Sequence, residues 1–154
     1  MITEAERSAA ERAITNSIYE FADAVDTGDI ERYAHKMRCG TIRVHGIDDT
    51  WTGSEGVKKM FADHTRFYDG IPNTKHVTTN LRIQIDDVGN TGTAQSYYMV
   101  LQAMPGFQLQ VVCAGRYYDT FERRDDEWLM IERFEYLDLV GDLSAHIMDN
   151  PHDR

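Results

Sequence analysis

The sequence predicts an α+β fold in which a curved antiparallel sheet wraps around N-terminal helices, making a cone with an internal pocket. Two observations carry that prediction. Apolar residues recur at spacings of three and four up to Asp69-Gly70, then at a spacing of two from residue 74. The alternating runs are joined by short turn segments, which suit an antiparallel meander. Helices first and strands afterwards place the helices on one face of the sheet.

The elements follow in order. Thr3 and Glu6 have the spacing of a capping box at the start of the first helix. Its buried stripe is Ile14, Ile18, Phe21, Ala22 and Val25. Thr27-Gly28 should end it, because glycine supplies a C-cap. Asp29 then caps a short second helix through about Met37. A short strand spans Thr41 to His45. Ser54 is placed to cap a third helix over about 54–69, with Val57, Met60, Phe61, His64 and Tyr68 on its buried side and Asp69-Gly70 as its end.

Four long strands come next, over about 74–86, 92–104, 107–122 and 127–138. Asp87-Val88-Gly89-Asn90, Pro105-Gly106 and Arg123-Arg124-Asp125-Asp126 separate them. Glu122 to Asp126 reads as a solvated turn. A tail over 139–154 follows, in which Gly141 to His146 has the length of one helical turn. No repeat or linker interrupts the chain, so 154 residues are expected to form one domain with a real core.

The net charge of −10 argues against nucleic acid and anionic membranes, because phosphate binding needs clustered Lys and Arg. Lys58-Lys59 is too small a cluster. Cys39 and Cys113 lie far apart and form no CxxC, which fits free thiols in a reducing compartment. The N-terminus has no apolar signal core, and no apolar run approaches membrane-spanning length. These features predict a soluble cytoplasmic protein.

Glycine-rich nucleotide loops, HExxH and GxSxG are all missing from the sequence. The six histidines, His35, His45, His64, His76, His146 and His152, make no metal-ligand spacing with each other or with Cys. No cofactor and no metal is therefore expected, and chemistry falls to ordinary side chains in a pocket.

His76 is the leading candidate. In Thr74 to Asp86 one parity holds His76, Thr78, Asn80, Arg82 and Gln84; the other holds Val77, Thr79, Leu81, Ile83 and Ile85. His76 and Asn80 suit a pocket, whereas Leu81, Ile83 and Ile85 suit a core. A β-bulge near residues 79–81 reconciles the two. Asp26 is the second candidate. It falls at the C-terminal end of the first helix, where the macrodipole disfavours a carboxylate, and at the edge of the buried stripe. A carboxylate there needs a cation or donor. The plainer readings are a solvated loop residue for Asp26 and a core or rim imidazole for His76.

The run from Ala13-Ile14 to Ala24-Val25-Asp26, Gly53 to Val57, Lys75-His76 to Asn80-Leu81-Arg82, and Tyr117 to Arg123-Arg124-Asp125 resembles the nuclear transport factor 2-like superfamily in its SnoaL-like branch. The layout is similar to the hexachlorocyclohexane dehydrochlorinases and, more distantly, the scytalone dehydratases. The resemblance extends to about Asp138 and implies a cystatin-like cone. It further implies that Asp26 orients His76, that His76 removes a proton from carbon, and that Arg133 assists the leaving group. The dehydrochlorinases carry a lysine five residues before that aspartate, where this chain has Phe21, which weakens the case for expelling chloride.

The dyad also makes physical sense without the resemblance. A carboxylate on one ring nitrogen fixes the tautomer and stabilises the imidazolium that forms. Such proton transfer typically contributes about 10²–10⁴-fold. With His76 inward, the expected pocket adds Phe21, Ala22 and Val25 from the helix, Met37 and Tyr68 at the rim, and Asn80. From the neighbouring strands come Ser96, Tyr98, Val100, Cys113, Gly115, Tyr117, Arg133, Glu135 and Leu137. Cys113 reads as a small core residue, the tyrosines as packing or as hydrogen-bond donors, and Arg133 alternatively as partner of Glu135 or Asp119.

These residues suggest a cofactor-independent lyase or isomerase acting on a small hydrophobic molecule, with dehydration favoured over dehydrohalogenation. A polyketide cyclase, ketosteroid isomerase or epoxide hydrolase with Asp26 as base is one alternative. A non-catalytic binding or structural subunit is the other. The exposed face of a long sheet also predicts a homotrimer or homodimer.

Overall fold

The structure is a computed structural model that describes residues 1–148. The part of the expected tail beyond Met148, with His152, lies outside the described residues. Three helices come early: α1 (Glu4–Asp26), α2 (Ile30–Lys36) and α3 (Gly53–His64). Six strands, β1 (Thr41–Val44), β2 (Thr50–Thr52), β3 (Thr74–Ile85), β4 (Thr91–Met104), β5 (Phe107–Arg124) and β6 (Glu127–Val140), form one sheet in the order β2-β1-β6-β5-β4-β3. The fold is α+β with a mostly antiparallel, curved open sheet. Only β1 against β6 runs parallel among the described pairs.

The capping box closes as the spacing predicts, with the Glu6 N–H donating to Thr3 Oγ1 and the Thr3 N–H to Glu6 Oε2. Ile14, Ile18, Phe21 and Val25 of the predicted stripe are buried on α1 together with Ala24, while Ala22 is half-buried. Each large apolar side chain sequestered there contributes about 1.5–3 kcal/mol. Gly28, at φ +75°, takes the left-handed position after α1 and turns the chain into α2. The Asp29 side chain accepts from the Arg32 N–H at 3.1 Å and caps α2.

Two local expectations are corrected, and one strand is added. Helix α3 stops at His64, not at Asp69. Thr65 is extended and bridges to Ile147, so the C-terminal segment competes for the backbone there. Ser54 does not cap α3; its hydroxyl donates to the Ala34 carbonyl and ties α3 to α2, while Thr52 holds the N-cap position without a side-chain bond. Strand β2 was not anticipated, because three residues are too few to show an alternation.

The meander agrees closely with the alternating pattern. At β5–β6 the turn residues Asp125 and Asp126 both have positive φ, 48° and 64°, the conformation a type I′ hairpin turn requires. The expected bulge is present: Thr79 pairs with Tyr97 and Arg82 with Gln95, so Asn80 and Leu81 together oppose Ser96. Before it His76 and Thr78 face inward; after it Ile83 and Ile85 do. Asn80 adopts φ +52° at the bulge, a conformation Asn tolerates better than most residues. Among the described residues no helix is long and apolar enough to cross a membrane.

Candidate active site

The bulge and the end of α1 together build the site. Asp26 is the last residue of α1, and the first residues of β3 pass beside it. Three donors meet its carboxylate: the Thr74 hydroxyl at 2.7 Å and the His76 Nδ1 at 2.6 Å on Oδ1, and the His76 backbone N–H at 2.8 Å on Oδ2. The side chains of His76 and Asp26 are 13% and 7% exposed, so water competes little for these bonds. They supply what the helix dipole denies a carboxylate at this end. Burial pushes the Asp26 carboxyl up, but the His76 ring, its backbone N–H and the Thr74 hydroxyl outweigh burial and hold it below the usual carboxylate range.

With Asp26 ionised, the proton belongs on His76 Nδ1. That tautomer leaves the lone pair of Nε2 free. The His76 ring lines a cavity of about 490 Å³, a size suited to a small molecule. Phe21, Ala22, Val25, Tyr98, Val100, Cys113, Tyr117, Arg133, Glu135 and Leu137 also line it, as do Thr78, Tyr33 and the 46–49 loop.

Polar groups are few and firmly held. Arg133 Nε and Nη2 each donate to Asp119 at 2.9 Å in a bidentate pair that is almost wholly buried. Its guanidinium lies 3.9 Å from the Tyr117 ring centre and 5.3 Å from that of Phe21. Burial opposes its charge, but Asp119 prevails and keeps it protonated. Nη1 has one long contact, 3.5 Å to the Tyr33 hydroxyl. Tyr98 donates to Glu135 Oε1 at 2.6 Å and stacks on Tyr117 at 4.4 Å. Burial, then Glu135, raises the phenols of both Tyr98 and Tyr117 above their ordinary value. Burial also pushes the Cys113 thiol up to about 12, so it is a thiol and not a thiolate at neutral pH.

Five expected pocket residues lie elsewhere; one of them, Gly115, is covered by the Tyr98 side chain. Met37 is fully buried in the core and does not line the cavity. Tyr68 turns its hydroxyl to the Ala145 carbonyl, 2.8 Å away, because α3 has already ended. Asn80 and Ser96 sit at the bulge and line a separate groove with Tyr97 and Arg116. The extra residue that corrects the parity after Thr79 is what carries Asn80 away.

The C-terminal segment contributes residues that were not expected. After β6 the chain makes one hydrogen-bonded turn from Leu143 to Ile147 and brings His146 and Ile147 to the cavity wall. The available signal was the alternation of Leu143, Ala145 and Ile147 after Gly141. Among the described residues no group of three or more His, Cys, Asp or Glu side chains is arranged to hold a metal ion.

Comparison with known proteins gives one family and one fold. The family model of the SnoaL-like domain matches residues 6–133. No curated protein matches the sequence significantly. Among solved structures, the hexachlorocyclohexane dehydrochlorinase LinA-type3 of Novosphingobium barchaimii is 22% identical, with 90% of this chain and 93% of that chain covered and a TM-score of 0.73. A protein of Novosphingobium aromaticivorans provisionally described as a scytalone dehydratase is 16% identical, with 91% of each chain covered and a TM-score of 0.73. An ntf2-like protein with a cystatin-like fold from the same organism is 20% identical, with 89% and 86% covered and a TM-score of 0.68. At these identities the likeness establishes the fold.

Proposed function

We propose a function from one premise: the chain belongs to the SnoaL-like domain family. On that premise it is a cofactor-independent lyase or isomerase that removes a proton from carbon in a small hydrophobic molecule. The observation that carries this reading is the 2.6 Å bond from His76 Nδ1 to Asp26, with the rest of the ring lining the cavity. Nε2 of His76 takes the proton. Asp26 holds the ring and stabilises the imidazolium. The free edge of Arg133 faces developing negative charge, whereas the Tyr98 hydroxyl is already committed to Glu135.

Dehydration is favoured over loss of chloride. A dehydrochlorinase and a provisional dehydratase share the fold, but Phe21 is an apolar wall residue here and offers no cation to a halide. The alternative in which Asp26 is the base has less support, since all three of its donors are in place and it stands behind His76. A purely structural subunit would not need an open cavity beside a buried Asp–His pair. We also place the protein in the cytoplasm, in keeping with its free Cys39 and Cys113.

Turnover of a cyclic substrate with an acidic C–H tests the reading. His76→Ala should abolish it. Asp26→Asn should lower kcat by about 10²–10⁴-fold with little change in KM. Turnover that survives His76→Ala but not Asp26→Asn would make Asp26 the base, and turnover that survives both would end the dyad.

A further inference from the structure

His146 is a buried imidazole for which the proposed chemistry so far has no use. It lines the same cavity as His76, and the two rings meet edge to face with centres 6.3 Å apart. Its Nδ1 is enclosed and has no hydrogen-bond partner. An enclosed N–H without an acceptor costs about 1–3 kcal/mol, and more than a bare lone pair, so the proton belongs on Nε2. That N–H is then the polar edge the ring offers to the cavity.

The backbone around His146 is held from several sides. The His146 carbonyl accepts from the Arg66 N–H at 2.9 Å, and its own N–H donates to Leu143 at 2.9 Å. Next to it the Ala145 carbonyl accepts from the Tyr68 hydroxyl at 2.8 Å and from Gln102 Nε2 at 2.9 Å. The Met148 N–H donates to the His64 carbonyl at 2.9 Å. Leu143 is buried against Tyr98, Val100, Val112 and Cys113. These bonds hold the backbone that carries the ring, and a catalytic donor needs such a fixed support.

We propose that His146 is a second catalytic histidine, donating from Nε2 to a substrate oxygen while His76 takes the proton from the adjacent carbon. The proposal rests on the reading of His76 as base and names the substrate class: a small carbonyl compound with an acidic α C–H. The C–H bond breaks, its proton goes to His76 Nε2, and its electron pair moves through the carbon framework to the carbonyl oxygen. His146 meets that oxygen with a hydrogen bond and is neither oxidised nor reduced. A reacting carbon roughly 3–3.5 Å from one imidazole can set its carbonyl oxygen within hydrogen-bond reach of the other.

The charge state agrees with this geometry. Burial, and then the neighbouring His76, lower His146 to about 4, against a smaller opposing pull from Asp26. It is therefore neutral at pH 7. A neutral imidazole is a competent electrophile for a carbonyl when its N–H is fixed, and it does not repel the imidazolium that His76 becomes.

The test uses the full chain with two probes. 4-Nitrophenol mimics an enolate oxygen on a flat ring, and its binding is followed by the visible absorbance of the phenolate. The wild type and His146→Gln, which keeps an N–H donor, should bind it within a few-fold of each other. His146→Phe should bind at least ten-fold more weakly. Equal binding by His146→Phe, or no saturable binding by the wild type, would overturn the proposal. Circular dichroism and the Gln variant separate this result from a failure to fold.

The second probe, deuterium exchange at the α-carbon of 2-tetralone, reports on the base alone through His76→Ala. No exchange by the wild type counts against the reading of His76 and leaves His146 to be decided by nitrophenol binding. Exchange lost in His76→Ala, with nitrophenol binding unaffected by His146→Phe, sinks the donor and keeps the base.

Discussion

Arg133 and Asp119 face each other directly across β5 and β6, and both side chains are almost fully withdrawn from water. Two ions in that position cost several kcal/mol each to desolvate, and their bidentate geometry offsets the cost. Removing one partner leaves the other as a buried, unpaired charge. Asp119→Ala should therefore lower unfolding stability by about 3–5 kcal/mol in urea titrations, whereas the double variant Asp119→Leu with Arg133→Met should recover most of the loss. A double variant as unstable as the single would show that the pair contributes more than mutual neutralisation.

From the residues alone, without the family resemblance, the arginine was legible as a residue of inward parity with a nearby acid. Which acid it pairs with depends on the register between two strands, and a bulge between Thr120 and Phe121 affects that register. Asp26 and His76 were legible for a different reason. A carboxylate at a helix C-terminus and an imidazole entering a strand are each awkward locally, and the structure resolves both by bonding the one to the other. Tyr68 was misplaced because α3 ends early, Asn80 because the bulge carries it away, and Met37 and Ser96 because an inward-facing side does not show how far the cavity extends.

Elements meet at two places that sequence periodicity describes unevenly. The α1–α2 turn was readable from Thr27-Gly28, and its packing explains why glycine is needed there. A Cβ on Gly28 would stand 1.9 Å from the Gly70 carbonyl oxygen, at a φ of +75° that side chains disfavour. Gly28→Ala should destabilise the protein by more than the roughly 1 kcal/mol of an ordinary glycine substitution in a regular element, read as a lower urea midpoint. The segment from Gly141 to Met148 was less readable, because its short apolar alternation at Leu143, Ala145 and Ile147 is supplemented by bonds from backbone groups and from Gln102, Tyr68 and Arg66.

That segment should also carry a pH dependence. His146 has a folded pKa of about 4, below the ordinary value of about 6.5, so the unfolded chain takes up the proton first. Its contribution is fully present above about pH 6.5 and falls away as the pH drops towards 4, by about 3 kcal/mol at most. Asp26, the facing carboxylate, is shifted in the direction that makes its own stabilisation disappear at still lower pH, below the ordinary carboxylate value of about 4. Denaturation at stepped pH should show the first fall in the wild type and a flatter curve in His146→Gln. Parallel curves would mean that the ring is already solvated.

At the scale of the whole molecule, the outer face of the sheet is left without a cover. Arg116 lies over Tyr136, His45 stacks on Tyr136 at 4.7 Å, and Arg43 lies over Phe134, so that face carries a ladder of aromatic and cationic side chains. Tyr97 and Tyr118 extend it towards β4. Beyond it, Leu109 and Leu139 are 71% and 70% exposed, and Val111 and Val140 are also open to water on β5 and β6. Apolar groups gathered at one end of a sheet mark an interaction surface more often than a bare one, and a net charge of −10 restrains indiscriminate association. A second copy of the chain would fit such a surface, because the guanidinium groups of one copy can meet the aromatic rings of the other. Sedimentation at micromolar concentration should give a dimer or trimer. Leu139→Glu and Tyr118→Glu, which place a charge in the contact without touching the cavity, should shift it to monomer while leaving circular dichroism unchanged. A wild type that sediments as a monomer would show that this face serves a different protein or none, and that the cavity works within a single chain.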